Sequence, residues 1–197
     1  MSNRGREVFR QYKGVLNVSV SLVRALPFRV RVKLLEHFRP TRGKKGLAIR
    51  YILVKSLART CGDNVAIFSD VYLFNPQHIS LGDNVSIQPM CYVEGGEAGE
   101  EGFGVFIGSN VSIANGCTLI PTNHGFSELE VPIRDQRITP GFVRIDDNVW
   151  LGAKAVLLAN VTVATGNVIA AGTIINRSTE PNGVYAGVPA RRVKDRF

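Results

Sequence analysis

The chain has 197 residues, 45% of them apolar and 20% charged. That suffices to bury the core of one ordinary domain plus a smaller appendage, and it excludes a disordered polypeptide. No run of eighteen apolar residues exists, and the opening MSNRGREVFRQYKG lacks the apolar core and cleavage site of a secretory signal. A bilayer-spanning helix is therefore not expected, and a cytoplasmic location is.

The net charge of +8 is unevenly placed. Residues 1–60 hold fifteen Lys and Arg against two acids, Glu7 and Glu36, whereas residues 61–197 hold nine against fourteen acids. In the basic third, Val8, Phe9, Tyr12, Val15, Leu16, Val20 and Val23 recur at helical spacing. Pro27 ends that helix or starts the next, although FRVRVKL alternates at period two and leaves a strand open. GLAIRYILVKSLA supplies a third apolar stretch. Two or three amphipathic helices over 1–56 would cap whatever follows. A basic amphipathic helix also suits weak peripheral contact with the inner, anionic face of a membrane, and both roles are compatible. Nucleic acid is not expected, because the basic residues are not interleaved with aromatic side chains in any reader motif.

From residue 61 a period of six takes over. IDDNVW, LGAKAV, LLANVT, VATGNV, IAAGTI and INRSTE run unbroken over 145–180. Earlier blocks include CGDNVA, IFSDVY, LGDNVS, IQPMCY, IGSNVS, IANGCT and LIPTNH. The first position is aliphatic in every block but the one headed by Cys61, and the fifth is usually small or β-branched. Neither a helix nor a simple hairpin has this period. A short strand plus a turn, three times per coil, gives a triangular prism whose interior takes the first and fifth side chains. Gly, Asp and Asn then fill the corners, whose backbone they tolerate. The spacing predicts a solenoid over 57–180, a C-terminal tail over 181–197, and two excursions, an acidic one at 94–104 and a longer one at 124–143. Long loops on a rigid scaffold are where binding groups concentrate.

Cys61, Cys91 and Cys117 fall in interior slots and show no metal-ligand spacing, so they read as buried, unreactive thiols. Of three histidines, His37 lies in the basic segment and His78 beside a register shift, as surface and turn residues. His124, in PTNHGF, ends a hexad and opens the longer excursion. That puts an imidazole at a coil edge, where it can remove a proton from an attacking hydroxyl.

The hexads, this Asn-His, and the run NVWLGAKAVLLANVTVATGNVIAAGTIINR followed by YAGVPARRVK resemble the hexapeptide-repeat acyltransferases. They most resemble the sugar O-acetyltransferase branch, which includes the galactoside and maltose enzymes. The resemblance implies a mainly β fold, a left-handed parallel β-helix with an N-terminal helical cap, working as a homotrimer with acetyl-CoA as co-substrate. It implies His124 as the general base and Asn123, Gln88 and Trp150 as acceptor-binding residues. Ala153 and Ala171 would present backbone amides to the pantetheine arm, the former also to the thioester oxygen. Arg177, Arg191 and Lys194 would meet the nucleotide phosphates, unless they are only a solvated tail. Trp150 either meets substrate or packs on the 124–143 loop.

The family usually shows Pro-Gly where Ala159–Asn160 stands, and an Asn where the register offers Gln88. The γ-class carbonic anhydrases share the fold, but their three-histidine zinc spacing is missing, so no metal is expected. The expected reaction is acetyl transfer to a hydroxyl of a sugar or glycan precursor. The alternatives are a xenobiotic or amino-acid acceptor, or a non-catalytic scaffold.

Overall fold

A computed structural model describes residues 3–96 and 102–197. Three helices come first: α1 (Asn3–Arg24), α2 (Phe28–Phe38) and α3 (Gly43–Leu57). Phe9, Leu16, Val20 and Val23 share one side of α1 and pack inward. Pro27, with φ fixed near its ring value, stands just before α2 as its N-cap residue. FRVRVKL, open to a strand by its alternation, is helix: Leu35 is buried and Val32, Leu34 and Phe38 pack beside it at helical spacing. α3 buries Tyr51, Leu53, Val54 and Leu57 against the first coil.

The rest is a three-faced parallel β-helix. The first face stacks Thr60–Cys61, Ile79–Leu81, Gly104–Ile107, Phe142–Ile145 and Val161–Val163. The second stacks Ala66–Ile67, Ser86–Ile87, Ser112–Ile113, Trp150–Leu151 and Val168–Ile169, and the third Tyr72–Phe74, Tyr92–Glu94, Thr118–Leu119, Val156–Leu157 and Ile174–Ile175. All of these neighbours pair in parallel. First-position residues such as Ile67, Ile87, Ile113, Leu119, Leu151, Leu157, Ile169 and Ile175 are almost wholly buried, as are fifth-position Val85, Cys91, Val111, Cys117 and Ala155. Fully burying such an aliphatic side chain stabilises by about 1.5–3 kcal/mol, so the stacked interior dominates the fold's energetics.

The corners explain the Gly-Asp-Asn triplets. Asn64, Asn84, Asn110 and Asn148 all take positive φ where the first face turns into the second. Asn is the non-glycine residue that bears this conformation most readily. The amide of Asn64 donates to Asn84 (3.0 Å) and that of Asn84 to Asn110 (3.3 Å). One position earlier, the backbone N–H groups of Asp63, Asp83 and Ser109 donate to Asp83, Ser109 and Asp147 side chains of the next coil. Each corner thus satisfies its own orphan donor with its neighbour's side chain. Residues 181–197, set apart above as a tail, are themselves sheet. Gly183–Ala186 adds a sixth parallel strand to the second face, and Arg191–Asp195 folds back antiparallel on it.

At the other end the first coil has no preceding coil, and the helices close it. The buried guanidinium of Arg50 donates to the carbonyls of Ile67 (2.8 Å), Phe38 (3.0 Å), Arg39 (3.3 Å) and Thr41 (2.6 Å). One side chain therefore joins α3, the end of α2 and the first coil. Burial lowers its pKa, an effect that nearby Asp70 opposes, yet an arginine stays protonated regardless. α1 is held by Lys13 and Lys55 on either side of Asp63, and Arg6 reaches Asn110. Its N-terminal half thus lies along the first–second edge across the first three coils. Replacing Arg50 by Met keeps the volume but strands these carbonyls. Urea unfolding of Arg50→Met should show a loss of about 3 kcal/mol or more, with helix and solenoid signals no longer coincident.

Candidate active site

The longer excursion leaves the third–first edge after Pro121 and returns at Gly141. The neck is closed: a Cβ on Gly141 would stand 2.7 Å from the Pro121 carbonyl oxygen and 2.5 Å from Asn160 Oδ1, so only glycine fits. Asn123–His124 pairs antiparallel with Ile138–Thr139, making the excursion a hairpin with His124 on its stem, opposite Ile138. Asn123 and His124 are both exposed. Two contacts unseen in the sequence fix this element. Thr122 Oγ1 donates to Glu94 Oε1 (3.2 Å), tying the stem's root to the first residue of the acidic excursion. Residues 97–101 of that excursion lie outside the described residues. Gln136, buried, donates from Nε2 to the carbonyls of Glu128 (2.9 Å) and Val131 (2.8 Å) and accepts from the Glu128 N–H (3.2 Å).

The residues expected to hold the co-substrate lie elsewhere, on the second–third edge. Ala153 and Ala171 stack in successive coils, where the Gly172 N–H donates to the Ala153 carbonyl (2.8 Å). Among the described residues, neither alanine's own N–H has a protein acceptor. Two amides about 4.8 Å apart are thus left without a protein acceptor along one edge. Beside them Met90 (φ 64°) and Lys154 (φ 59°) hold left-handed backbone that sequence gave no reason to expect of those residue types. Gln88 sits half-buried on this edge two coils before Ala153. The 187–190 turn continues the edge through the Ala190 N–H to the Ile174 carbonyl, which places Arg191 at its far end. Lys194 lies on the same final strand, opposite Val184.

Arg177 instead follows Ile174–Ile175 on the third–first edge, exposed, two coils beyond the His124 hairpin. Trp150 stands on the second face, 54% exposed, between Ser112 and Val168. It lines a groove of about 400 Å³ with Asn110, Ser112, Asn148, Asn167 and Arg196. That face is opposite the edge from which the 124–143 loop departs, so the indole does not pack on its own chain's loop. Apart from Trp150 and Lys194, which belong to the second face, the expected residues therefore divide between the two edges that bound the third face. One side of the triangle is six residues, so these two edges stand up to roughly 20 Å apart.

The thiols match the buried expectation, with one difference. Cys91 and Cys117 are fully buried in adjacent coils and donate to the carbonyls of Ala114 (3.1 Å) and Gly152 (3.2 Å). Cys61, at the capped end, is only half-buried, yet burial, against the pull of the Lys55 ammonium, pushes its thiol up to about 12. The Cys91–Cys117 contact, aided by burial, pushes the Cys91 thiol up, and the same contact draws that of Cys117 down. His78 closes the turn Pro76–His78, and burial aided by Arg59 lowers its pKa. His37 lies in the last turn of α2, edge-on to Phe38. Among the described residues, no three His, Cys, Asp or Glu side chains gather as a metal site.

No family model matches the chain. It is 32% identical over 147 residues to the galactoside O-acetyltransferase of Escherichia coli (strain K12), spanning 74% of this chain and 68% of that protein. The chain belongs to the hexapeptide-repeat acyltransferases. A putative acetyltransferase of Staphylococcus aureus (strain COL) is 30% identical over 169 residues, covering 81% of this chain and 74% of its own length. In fold, the chain is similar to a maltose O-acetyltransferase from Clostridium difficile 630 (TM-score 0.71, 21% identity, covering 85% of this chain and 84% of that one). It is equally similar to a hexapeptide-repeat acetyltransferase of Vibrio cholerae O1 biovar eltor complexed with acetyl coenzyme A (TM-score 0.71, 22% identity, 85% and 86%). The β-helix is thus the left-handed one of this family, and the chain is an O-acetyltransferase.

For a hexapeptide-repeat acyltransferase the geometry offers two complementary tools. Free edge amides can bond an extended amide-bearing arm or a carbonyl oxygen gaining charge. An exposed imidazole on a braced hairpin can move a hydroxyl proton. Gln136 carries no sequence signal, being one polar residue in a polar loop, whereas the acidic excursion holding Glu94 does stand out. Gln136→Leu removes three hydrogen bonds from the loop without touching the coils. Limited proteolysis within 126–135 should accelerate about tenfold or more, while the melting temperature stays within a few degrees.

Proposed function

We propose that this enzyme transfers the acetyl group of acetyl-CoA to a hydroxyl of a sugar or glycan precursor on the cytoplasmic side, working as a homotrimer. The observation that carries the proposal is the division of its functional residues between two edges flanking one face. In a threefold assembly with the third faces turned inward, the second–third edge of one subunit meets the third–first edge of the next. Ala153, Ala171, Arg191 and Lys194 of one copy would then line the cofactor groove. His124 and Arg177 of its neighbour would complete it. The edge amides suit the pantetheine arm and the cations its phosphates. Gln88 and Asn123 would frame the acceptor at this seam, with Trp150 offering an apolar face to a sugar ring from the adjoining second face. Relatives acting on galactosides and maltose support a sugar acceptor. The helical segment 1–56 serves as the cap and as the part that touches a membrane.

In the proposed step His124 takes the hydroxyl proton as the acceptor oxygen attacks the thioester carbon. The Ala153 N–H stabilises the oxyanion, CoA thiolate leaves, and the imidazolium returns the proton to the sulfur. His124→Ala should lower kcat about 10²–10⁴-fold while CoA affinity and the melting curve stay unchanged. A variant retaining half of wild-type kcat in a thiol-release assay against a sugar panel would refute the assignment. Sedimentation velocity should give one species of three chains at assay concentration, and an active monomer would overturn the shared-groove reading.

A further inference from the structure

The inner side of α1 is accounted for by packing, whereas Val8, Tyr12, Val15, Val18 and Leu22 form a second stripe on the adjoining face, every one of them exposed. The stripe runs on into the turn between α1 and α2, where Ala25 to Val30 are all exposed and Leu26, Phe28 and Val30 supply apolar surface. α2 buries Leu35 and leaves Arg29 and Lys33 outward beside that turn. Glu36 is the one carboxylate between residues 8 and 60, a stretch with thirteen Lys and Arg. Apolar side chains set in a cationic field, on a helical hairpin at the capped end of the prism, form an uncommon surface for a water-exposed element.

We infer that the Leu22, Leu26, Phe28 and Val30 surface, with Arg29 and Lys33, docks the enzyme on an anionic phospholipid bilayer. Charge selects this occupant. A second copy would bring cations against cations, and a polyanion in solution would leave Leu26, Phe28 and Val30 unburied. A bilayer interface takes the apolar side chains below its headgroups and the cations at their level. Each basic residue near such a surface adds roughly fivefold to affinity at low salt. This inference rests on the proposed trimer for its strength, because a cyclic assembly turns all three capped ends to the same side. Three weak contacts then act together. The docked enzyme would present its edges upright on the membrane, where a lipid-linked glycan hydroxyl can reach them.

The test uses the full chain and vesicles of phosphatidylcholine with about 30 mol% phosphatidylglycerol, at about 50 and about 300 mM NaCl. Co-sedimentation is expected with the anionic vesicles at low salt, weaker at high salt, and absent with phosphatidylcholine alone. Leu26→Asn combined with Phe28→Asn, and separately Arg29→Glu combined with Lys33→Glu, should each lower binding about tenfold, with unchanged circular dichroism and unchanged lipid-free acetyl transfer. His124→Ala should bind vesicles as the wild type does. Vesicle binding without acetyl transfer by the wild type would therefore fault the catalytic reading and uphold the docking surface. Failure to bind anionic vesicles at low salt overturns the inference. So does binding that survives both double variants, lipid-free assembly beyond a trimer that Phe28→Asn abolishes, or equally tight binding of an RNA oligonucleotide insensitive to that change.

Discussion

Everything in this molecule depends on the stacking of identical six-residue sides at the spacing of hydrogen-bonded strands, about 4.8 Å. That register fixes each position's environment for the length of the prism. Two of six side chains must be apolar because they face an interior that never opens, as Ile87, Ile113, Leu151 and Ile169 show on one face. Most corners turn left-handed, on Asn64, Asn84, Asn110, Asn148 and Gly166 at the first–second edge and on Asp70, Met90, Gly116, Lys154 and Gly172 at the second–third edge. The same stacking makes a free corner N–H recur at equal steps. A chemically useful row of donors at Ala153 and Ala171 is thus a by-product of coil geometry. Where Lys154 adopts the left-handed corner beside them, the backbone accepts a conformation costing about 1 kcal/mol. That local cost sits at the edge where function is expected.

A stacked solenoid is strong inside and incomplete at its ends, because each coil is satisfied by two neighbours and a terminal coil has one. The two ends are closed by different means. At the C-terminal end the chain reuses strand pairing, with Gly183–Ala186 and its antiparallel partner. At the N-terminal end it changes structure class, and Arg50 reconciles helix with coil by donating to carbonyls of both. A buried guanidinium is expensive to desolvate, so its four acceptors are what make the position tolerable. The two caps also differ in effect: the strand end extends the second face by one more coil, whereas the helical end closes the first coil.

The period of six, and with it the core and the corner residues, is legible in the sequence because it repeats; each hexad tests the others. Asn160 in place of the usual glycine could be read as a left-handed corner, and its φ of 63° agrees. Features that occur once were not legible. FRVRVKL satisfies both a strand and a helix pattern over seven residues, and only the packing of Leu35, Val32 and Phe38 decides between them. Gln136 and the Thr122–Glu94 bond join segments eight and 28 residues apart inside irregular chain, where no periodicity marks a partner. The candidate site was half legible for the same reason. Residue types at hexad positions could be assigned to an edge, but which edges a single chain brings together is a property of the whole triangle.

That last property ties assembly to chemistry. A β-helix corner is convex, so one edge alone offers a ligand donors but no enclosure. Exclusion of water, which strengthens each hydrogen bond to a developing oxyanion, needs a second wall. A single chain could build that wall only by extending a loop across a face of roughly 20 Å. The hairpin at 122–140 extends from the third–first edge, and its tip leaves Phe126, Leu129 and Ile133 exposed rather than folded back on the coil. Such apolar tips are costly in an isolated chain and favourable against a neighbour's edge. A hairpin braced internally by Gln136, rooted at Glu94 and apolar at its tip therefore suits the proposed shared groove. It is braced enough to hold an imidazole in place, and in the proposed trimer it would gain burial against the neighbour's edge.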